Sequence, residues 1–176
     1  MGELGNRLAR GDRAAFAELY DLCADRLHHY LVVRLESRPD ADDVLQETFV
    51  RLARARRKLA HVENLSAYVF TVARNETVRL VGRRTRDAGN RDHVDVSELF
   101  CQAASSNLEE REEAELLAAA LMRLPAEQRE VVELKTYAGL TLAEIAVVTR
   151  SPPGTVATRY RTGLEKLREW LSEKIS

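Results

Sequence analysis

Apolar residues recur along most of the chain at steps of three and four, and no stretch alternates apolar and polar long enough to make a strand. The pattern predicts an all-α protein. Helices are expected over Glu3–Arg10, Arg13–Glu36, Asp40–Lys58, Leu65–Arg86, Leu108–Arg123, Pro125–Ala138, Leu142–Thr149 and Pro152–Leu171. Several ends carry their own signals. Pro39 with Asp40, Asp42 and Asp43 sets a rigid entry and negative charge against the free amides of a helix start. Pro125 opens another helix and Gly139 closes it. Residues 87–107 lack a sustained apolar face and are rich in Asp, Ser, Asn and Ala, which reads as a flexible linker joining two small helical domains, 1–86 and 108–176.

The last 50 residues or so hold the clearest pattern. Thr141-Leu142-Ala143-Glu144 is a capping box opening a short helix that carries Leu142, Ile145, Ala146 and Val148. That helix breaks at Arg150-Ser151-Pro152-Pro153, and a longer one follows with Val156, Tyr160, Leu164, Leu167 and Leu171 as its inner stripe. Thr155, Thr158, Arg159 and Arg161 are left to the outside. Short helix, tight turn and longer helix with a polar, basic first half is the helix-turn-helix arrangement, whose second helix fits the DNA major groove. Two amphipathic helices in an ordinary bundle would share the periodicity; the capping box and the outward arginines favour the DNA reading.

Two earlier helices carry mixed faces. On Leu65–Arg86, Tyr68, Asn75, Arg79, Arg83 and Arg86 fall at steps of seven, four, four and three, hence on one side. An aromatic, an amide and a row of guanidiniums suit a nucleic-acid strand whose phosphates are neutralised and whose bases are stacked; a solvated arginine face with Tyr68 in the core would look the same. On Asp40–Lys58 the apolar stripe is Val44, Leu45, Thr48, Phe49 and Leu52, and the opposite face shows Asp43, Gln46, Glu47, Val50 and Arg54. Val50 is apolar on a polar face, which is compatible with a protein-docking surface or with an ordinary solvated one.

Charge is sorted by segment although the 176-residue chain has a net charge of only -1. Arg51, Arg54, Arg56, Arg57 and Lys58 run without an acid between them, whereas Asp92 to Glu115 holds eight acids against Arg111 alone. Near-neutrality hides two basic modules and an acidic middle. The balance of 45% hydrophobic and 31% charged residues excludes collagen-like, disulfide-stapled and wholly disordered chains. Cys23 and Cys101 lie far apart without metal-ligand spacing, and His28-His29 and the Asp40, Asp42, Asp43 cluster lack catalytic or metal-site spacing. No metal, cofactor or enzymatic chemistry is expected. No apolar run approaches a membrane span, so no membrane insertion is expected and a cytoplasmic location is the default.

Segments from both ends together resemble one family. GDRAAFAELYDLCADRLHHYL from Gly11, ADDVLQETFVRLARARRKL from Ala41 and AYVFTVARNETVRLVGRR from Ala67 are similar to successive parts of region two of the sigma-70 RNA polymerase sigma factors. LPAEQREVVELKTYAGLTLAEIAVVTRSPPGTVATRYRTGLEKLREWL from Leu124 is similar to region four. With no other regions evident, the chain resembles the small extracytoplasmic-function (ECF) type. The resemblance implies that Asp43, Gln46, Glu47 and Val50 dock on the β′ clamp helices of core RNA polymerase. It implies that the loop and helix from His61 to Arg86, including Asn64, bind and open the minus-ten promoter element and capture a non-template base. The helix-turn-helix would read the minus-thirty-five element through Thr155, Thr158, Arg159 and Arg161 and touch the β flap, while an anti-sigma partner would restrain the whole. Tyr68 stands where the family usually has Trp, and Arg150 holds a turn position often given to Gly, which requires an adaptable backbone there. The rival function is a self-sufficient dimeric helix-turn-helix regulator, which would leave the N-terminal motifs without a role.

Overall fold

The computed structural model describes residues 2–87 and 116–175, all helices and connections, with no strand among the described residues. The linker expected at 87–107 and the acidic run Asp92–Glu115 lie almost wholly outside these residues. Helix α1 spans Gly2–Ala9 and α2 spans Arg13–Leu35. Asp12 caps α2, its carboxylate accepting from the amides of Ala14 at 2.9 Å and Ala15 at 3.4 Å, and Arg7 holds that carboxylate at 2.9 Å. At the other end Glu36 leaves α2 in the left-handed region at φ 53°. Ser37 then caps α3 (Arg38–Arg54), with Pro39 in its first turn.

Helix α3 ends four residues before the expected Lys58, and the chain tightens into a 3-10 turn over Arg56–His61. The tightening is where α1 docks. Gly5 lies so close to this turn that a Cβ there would sit 2.6 Å from the Leu59 carbonyl oxygen, while Leu59 itself is fully buried. Asn64 then starts α4 (Leu65–Asp87), its carbonyl oxygen accepting from the Ala67 amide at 2.9 Å. Residues 116–122 are helical (α5) and are the described part of the expected Leu108–Arg123 helix.

The last three helices are α6 (Ala126–Thr136), α7 (Leu142–Thr149) and α8 (Pro153–Ile175). Both halves of the capping box form: the Thr141 hydroxyl accepts from the Glu144 amide, and the Glu144 carboxylate accepts from the Thr141 amide at 2.8 Å. Gly139 ends the preceding segment at φ 63°, and Arg150 ends α7 at φ 53°, the backbone freedom expected at that turn. One expected core position is corrected. Leu164 is 42% exposed, and the inner stripe of α8 runs instead through Val156, Tyr160, Gly163 and Leu167. A 3.6-residue turn places 163, not 164, towards α6, and the missing side chain lets the helices close up: a Cβ on Gly163 would meet Val132 Cγ2 at 3.0 Å.

Buried apolar residues of the N-terminal half (2–87), among them Leu27, Tyr30, Leu65 and Phe70, share one cluster with Leu134, Ala138, Leu140, Ile145, Val148 and Val156 of the C-terminal half (116–175). A second cluster, Ala120, Leu121, Leu124, Val132 and Leu167, lies within the C-terminal half, edged by Trp170 with the Arg123 guanidinium 4.7 Å over its ring. Among the described residues no helix is long and apolar enough to cross a membrane.

Candidate functional site

Helix α3 turns Val44, Thr48 and Leu52 inward and leaves Asp43 and Gln46 exposed. Val50 and Glu47 are half-buried, and Glu47 is bound to Arg51 at 2.9 Å, so the side chains free to meet a partner there are Asp43, Gln46 and Val50. Gln46 and Val50 border a shallow groove between α2 and α3, lined also by Tyr20, Asp42, Leu45 and Phe49, with Asp43 exposed on the same helix. Tyr20 and Phe49 form its floor with ring centroids 4.8 Å apart. Reading α3 alone misses Tyr20, which enters from α2, and misses that Phe49, an inner-stripe residue, is reachable from the groove. Tyr20 is 45% exposed, and a large ring left open to solvent beside a groove is what marks such a place.

On α4 the expected face forms in part. Asn75, Arg79 and Arg83 are exposed along one side; the Arg79 guanidinium also donates to Glu76 at 3.1 Å. Arg86 falls in the last turn, and its side chain lies outside those described. Tyr68 is half-buried and packs on the shared core, while His61 is exposed at the end of the basic 3-10 turn beside Arg56, Arg57 and Lys58. Asn64 is engaged at both ends of its amide: besides capping α4 it donates to the Glu144 carboxylate of α7 at 2.8 Å.

The outer face of α8 carries Thr155, Thr158, Arg159 and Arg161 in its first three turns. Arg161 is 71% exposed and only loosely paired with Glu165. Arg159 is drawn back into the protein, donating to the Ser151 hydroxyl at 3.0 Å and to the Glu127 carboxylate. The Thr158 hydroxyl is turned onto its own helix, donating to the Gly154 carbonyl at 2.9 Å. Of the two arginines, Arg161 is presented outright, and Arg159 buttresses the turn.

Between the halves lies a polar network invisible to periodicity. The Arg74 guanidinium of α4 grips the Glu130 carboxylate of α6 with two hydrogen bonds, 2.8 and 3.0 Å. Arg34 of α2 reaches Glu133 at 3.3 Å and Glu130 at 3.9 Å. Glu133 is 2% exposed, and burial pushes its carboxyl up from the ordinary 4.5 to about 7 against the opposing pull of Arg34 and Arg129. Burial together with the Glu133 charge also raises the Tyr137 phenol to about 12. Burial works in the same upward direction on Glu144, but hydrogen bonds from the Thr141 amide, Asn64 and the Thr141 hydroxyl outweigh it and hold that carboxyl below its usual range.

A model of sigma-70 region 2 matches residues 19–87 and a model of sigma-70 region 4 matches residues 114–167. These spans contain the groove, the α4 face and the helix-turn-helix. The chain belongs to the sigma-70 family, in its extracytoplasmic-function (ECF) group. The ECF RNA polymerase sigma factor BldN of Streptomyces coelicolor is 32% identical over 165 residues, which take in 92% of this chain and 62% of BldN, so the chain spans about three fifths of that relative's length. The ECF RNA polymerase sigma factor SigW of Bacillus subtilis is 25% identical over 176 residues, covering 95% of this chain and 94% of SigW. The fold is that of the sigma factor RpoE in its co-crystal structure with the anti-sigma factor NepR from Bartonella quintana, at TM-score 0.66 and 23% identity over 89% of this chain and 96% of that one.

Proposed function

We propose that this chain is a bacterial ECF sigma factor that binds core RNA polymerase and directs it to promoters with particular minus-ten and minus-thirty-five elements. The observation that carries the reading is the separation of three different faces on three helices: an aromatic-floored groove on α3, an amide-and-arginine face on α4 and an exposed basic face on α8. A protein that must hold polymerase and two DNA elements at once needs such a division. In this reading residues 1–86 and 108–176 are the two grips, joined by the acidic linker 87–107.

Asp43, Gln46, Glu47 and Val50 of α3, together with the groove that Gln46 and Val50 line beside Tyr20 and Phe49, would take the β′ clamp helices. His61, Asn64, Tyr68, Asn75, Arg79, Arg83 and Arg86 would hold and open the minus-ten element. Unpairing and unstacking a base costs a few kcal/mol, which stacking on Tyr68 and phosphate contacts to the arginines would offset. Thr155, Thr158, Arg159 and Arg161 would engage the minus-thirty-five element, and the C-terminal half would meet the β flap. The chain would do no bond chemistry, work in the cytoplasm with polymerase, and be restrained by an anti-sigma partner. A dimeric helix-turn-helix regulator would leave the α3 groove and the α4 face idle.

The test is reconstitution: purified chain and core polymerase on fragmented bacterial DNA, with the RNA products sequenced. Transcripts starting downstream of a common pair of elements are expected. Transcripts no different from those of core polymerase alone would overturn the proposal.

A further inference from the structure

Helix α4 has a feature that its amide-and-arginine face leaves unused. Val78 and Val81 are large apolar side chains open to water, Val78 at 59% exposure. Three residues apart, they stand side by side, about 60° from each other around the helix, and Val78 stands about 60° from Asn75 on its other side. Leu80, by contrast, packs on the core, so the inner stripe of α4 continues without them. Single apolar residues scattered on a surface are ordinary. An adjoining pair on a helix face lined with arginine fits a partner that is apolar at one point and anionic around it.

The following turn keeps this spot uncovered. A helical side chain leans back over the turn before it, so residue 82 would lie over 78 and 79, and residue 82 is glycine. Valine and glycine are both weaker helix formers than alanine, so helix stability alone does not select Val78, Val81 and Gly82.

Charge sets the class of partner. Apart from its terminal Asp87, α4 has one acid, Glu76, which is buried and bound to Arg51 at 2.9 Å and to Arg79 at 3.1 Å. Arg79 and Arg83 stand exposed beside the valines, a setting for phosphates. Among the base edges that DNA presents, the apolar group that distinguishes one base is the C5 methyl of thymine, which persists when the strand is opened.

We propose that Val78 reads a thymine of the minus-ten element by contact with its C5 methyl, with Val81 extending the apolar spot and Asn75, Arg79 and Arg83 holding the strand around it. The assignment rests on reading α4 as the minus-ten face and adds a determinant of sequence to it. Phosphate contacts position a strand without reading it, and the valine supplies the reading. At 1.5 Å rise per residue Val78 lies about 15 Å along α4 from Tyr68, so this thymine is a different nucleotide from a base stacked there.

The test uses holoenzyme reconstituted from core polymerase and the full chain, on a promoter identified by sequencing its transcripts. Each thymine of the minus-ten element, on either strand, is replaced in turn by deoxyuridine, which keeps base pairing and removes only the methyl. One replacement should slow initiation by the parent holoenzyme about fourfold, the worth of one buried methyl group. V78A should slow initiation on the unmodified promoter at least as much and erase the difference between thymine and deoxyuridine at that position, with affinity for core polymerase and helix content unchanged. V78I should keep the discrimination. A general loss of packing would slow both templates alike and leave the difference standing. A minus-ten element without thymine, no sensitive position in the parent, or the same methyl effect in the parent and V78A would each overturn the proposal. Initiation by V78A equal to the parent on every template would also overturn it and would give the valine pair to a protein partner. Absence of any promoter-specific transcript would sink the proposed function and this contact together, whereas specific initiation indifferent to the methyl would sink the contact alone.

Discussion

At the scale of single residues, two side chains occupy backbone that favours glycine. Glu36 and Arg150 both sit at φ 53°, ending α2 and α7. Left-handed backbone costs a non-glycine residue about 1–2 kcal/mol, and glycine returns part of this through the larger unfolded-state entropy it loses, roughly 0.5–1 kcal/mol. Arg150→Gly is therefore expected to stabilise the protein by about 0.5 kcal/mol, raising the calorimetric midpoint by roughly 2 °C. A lower midpoint would mean that the Arg150 side chain contributes more than its backbone costs. The turn was legible as one needing freedom; the matching turn at Glu36 was not, because a charged residue at a helix end usually signals only solvent.

At the scale of helices, faces decide function, and the groove and the recognition helix should separate cleanly. Asp43→Arg is expected to weaken binding of core polymerase about tenfold in a fluorescence titration, leaving the circular dichroism of the helices unchanged. Arg161→Ala should leave that affinity intact and cut promoter-specific initiation by roughly tenfold. Equal losses in both measurements for either variant would count against the division of labour. Helix boundaries were readable to within a few residues, and Leu142–Thr149 was read to the residue, because caps and turns are written locally as Thr, Glu, Pro and Gly. What escaped was contact between distant segments. The 3-10 turn depends on Gly5 of α1, the groove floor on Tyr20 of α2, and the close approach of α6 and α8 on Gly163, a residue with no side chain to enter a hydrophobic pattern. Thr155, Thr158, Arg159 and Arg161 were placed together by spacing alone, yet spacing could not show that Arg159 is tied to Ser151 and Glu127.

At the scale of the whole molecule, the junction of the halves should answer to pH. Glu133 faces Arg34 and Tyr30 from α2, and Arg129, Glu130 and Tyr137 along α6, while Arg74 of α4 holds Glu130. Its carboxyl is raised from 4.5 to about 7 by burial, so the folded chain takes up a proton relative to the unfolded one. The stability this uptake contributes is fully present below the unfolded value and is lost as pH rises through about 7. The thermal midpoint is expected to fall between about pH 5 and pH 8, and Glu133→Gln should flatten that stretch of the profile. A slope unchanged by the substitution would place the titrating group elsewhere.

One carboxylate joins these scales. Glu144 serves the cap of its own helix through the Thr141 amide and hydroxyl, and serves the other half of the chain through Asn64. A change that retuned the first turn of α7 would loosen the entrance to α4, and a change at Asn64 would reach back into the helix-turn-helix. The two ends of the polypeptide are thus not interchangeable cassettes: grafting either from a relative would import half of a shared joint and leave the other half mismatched.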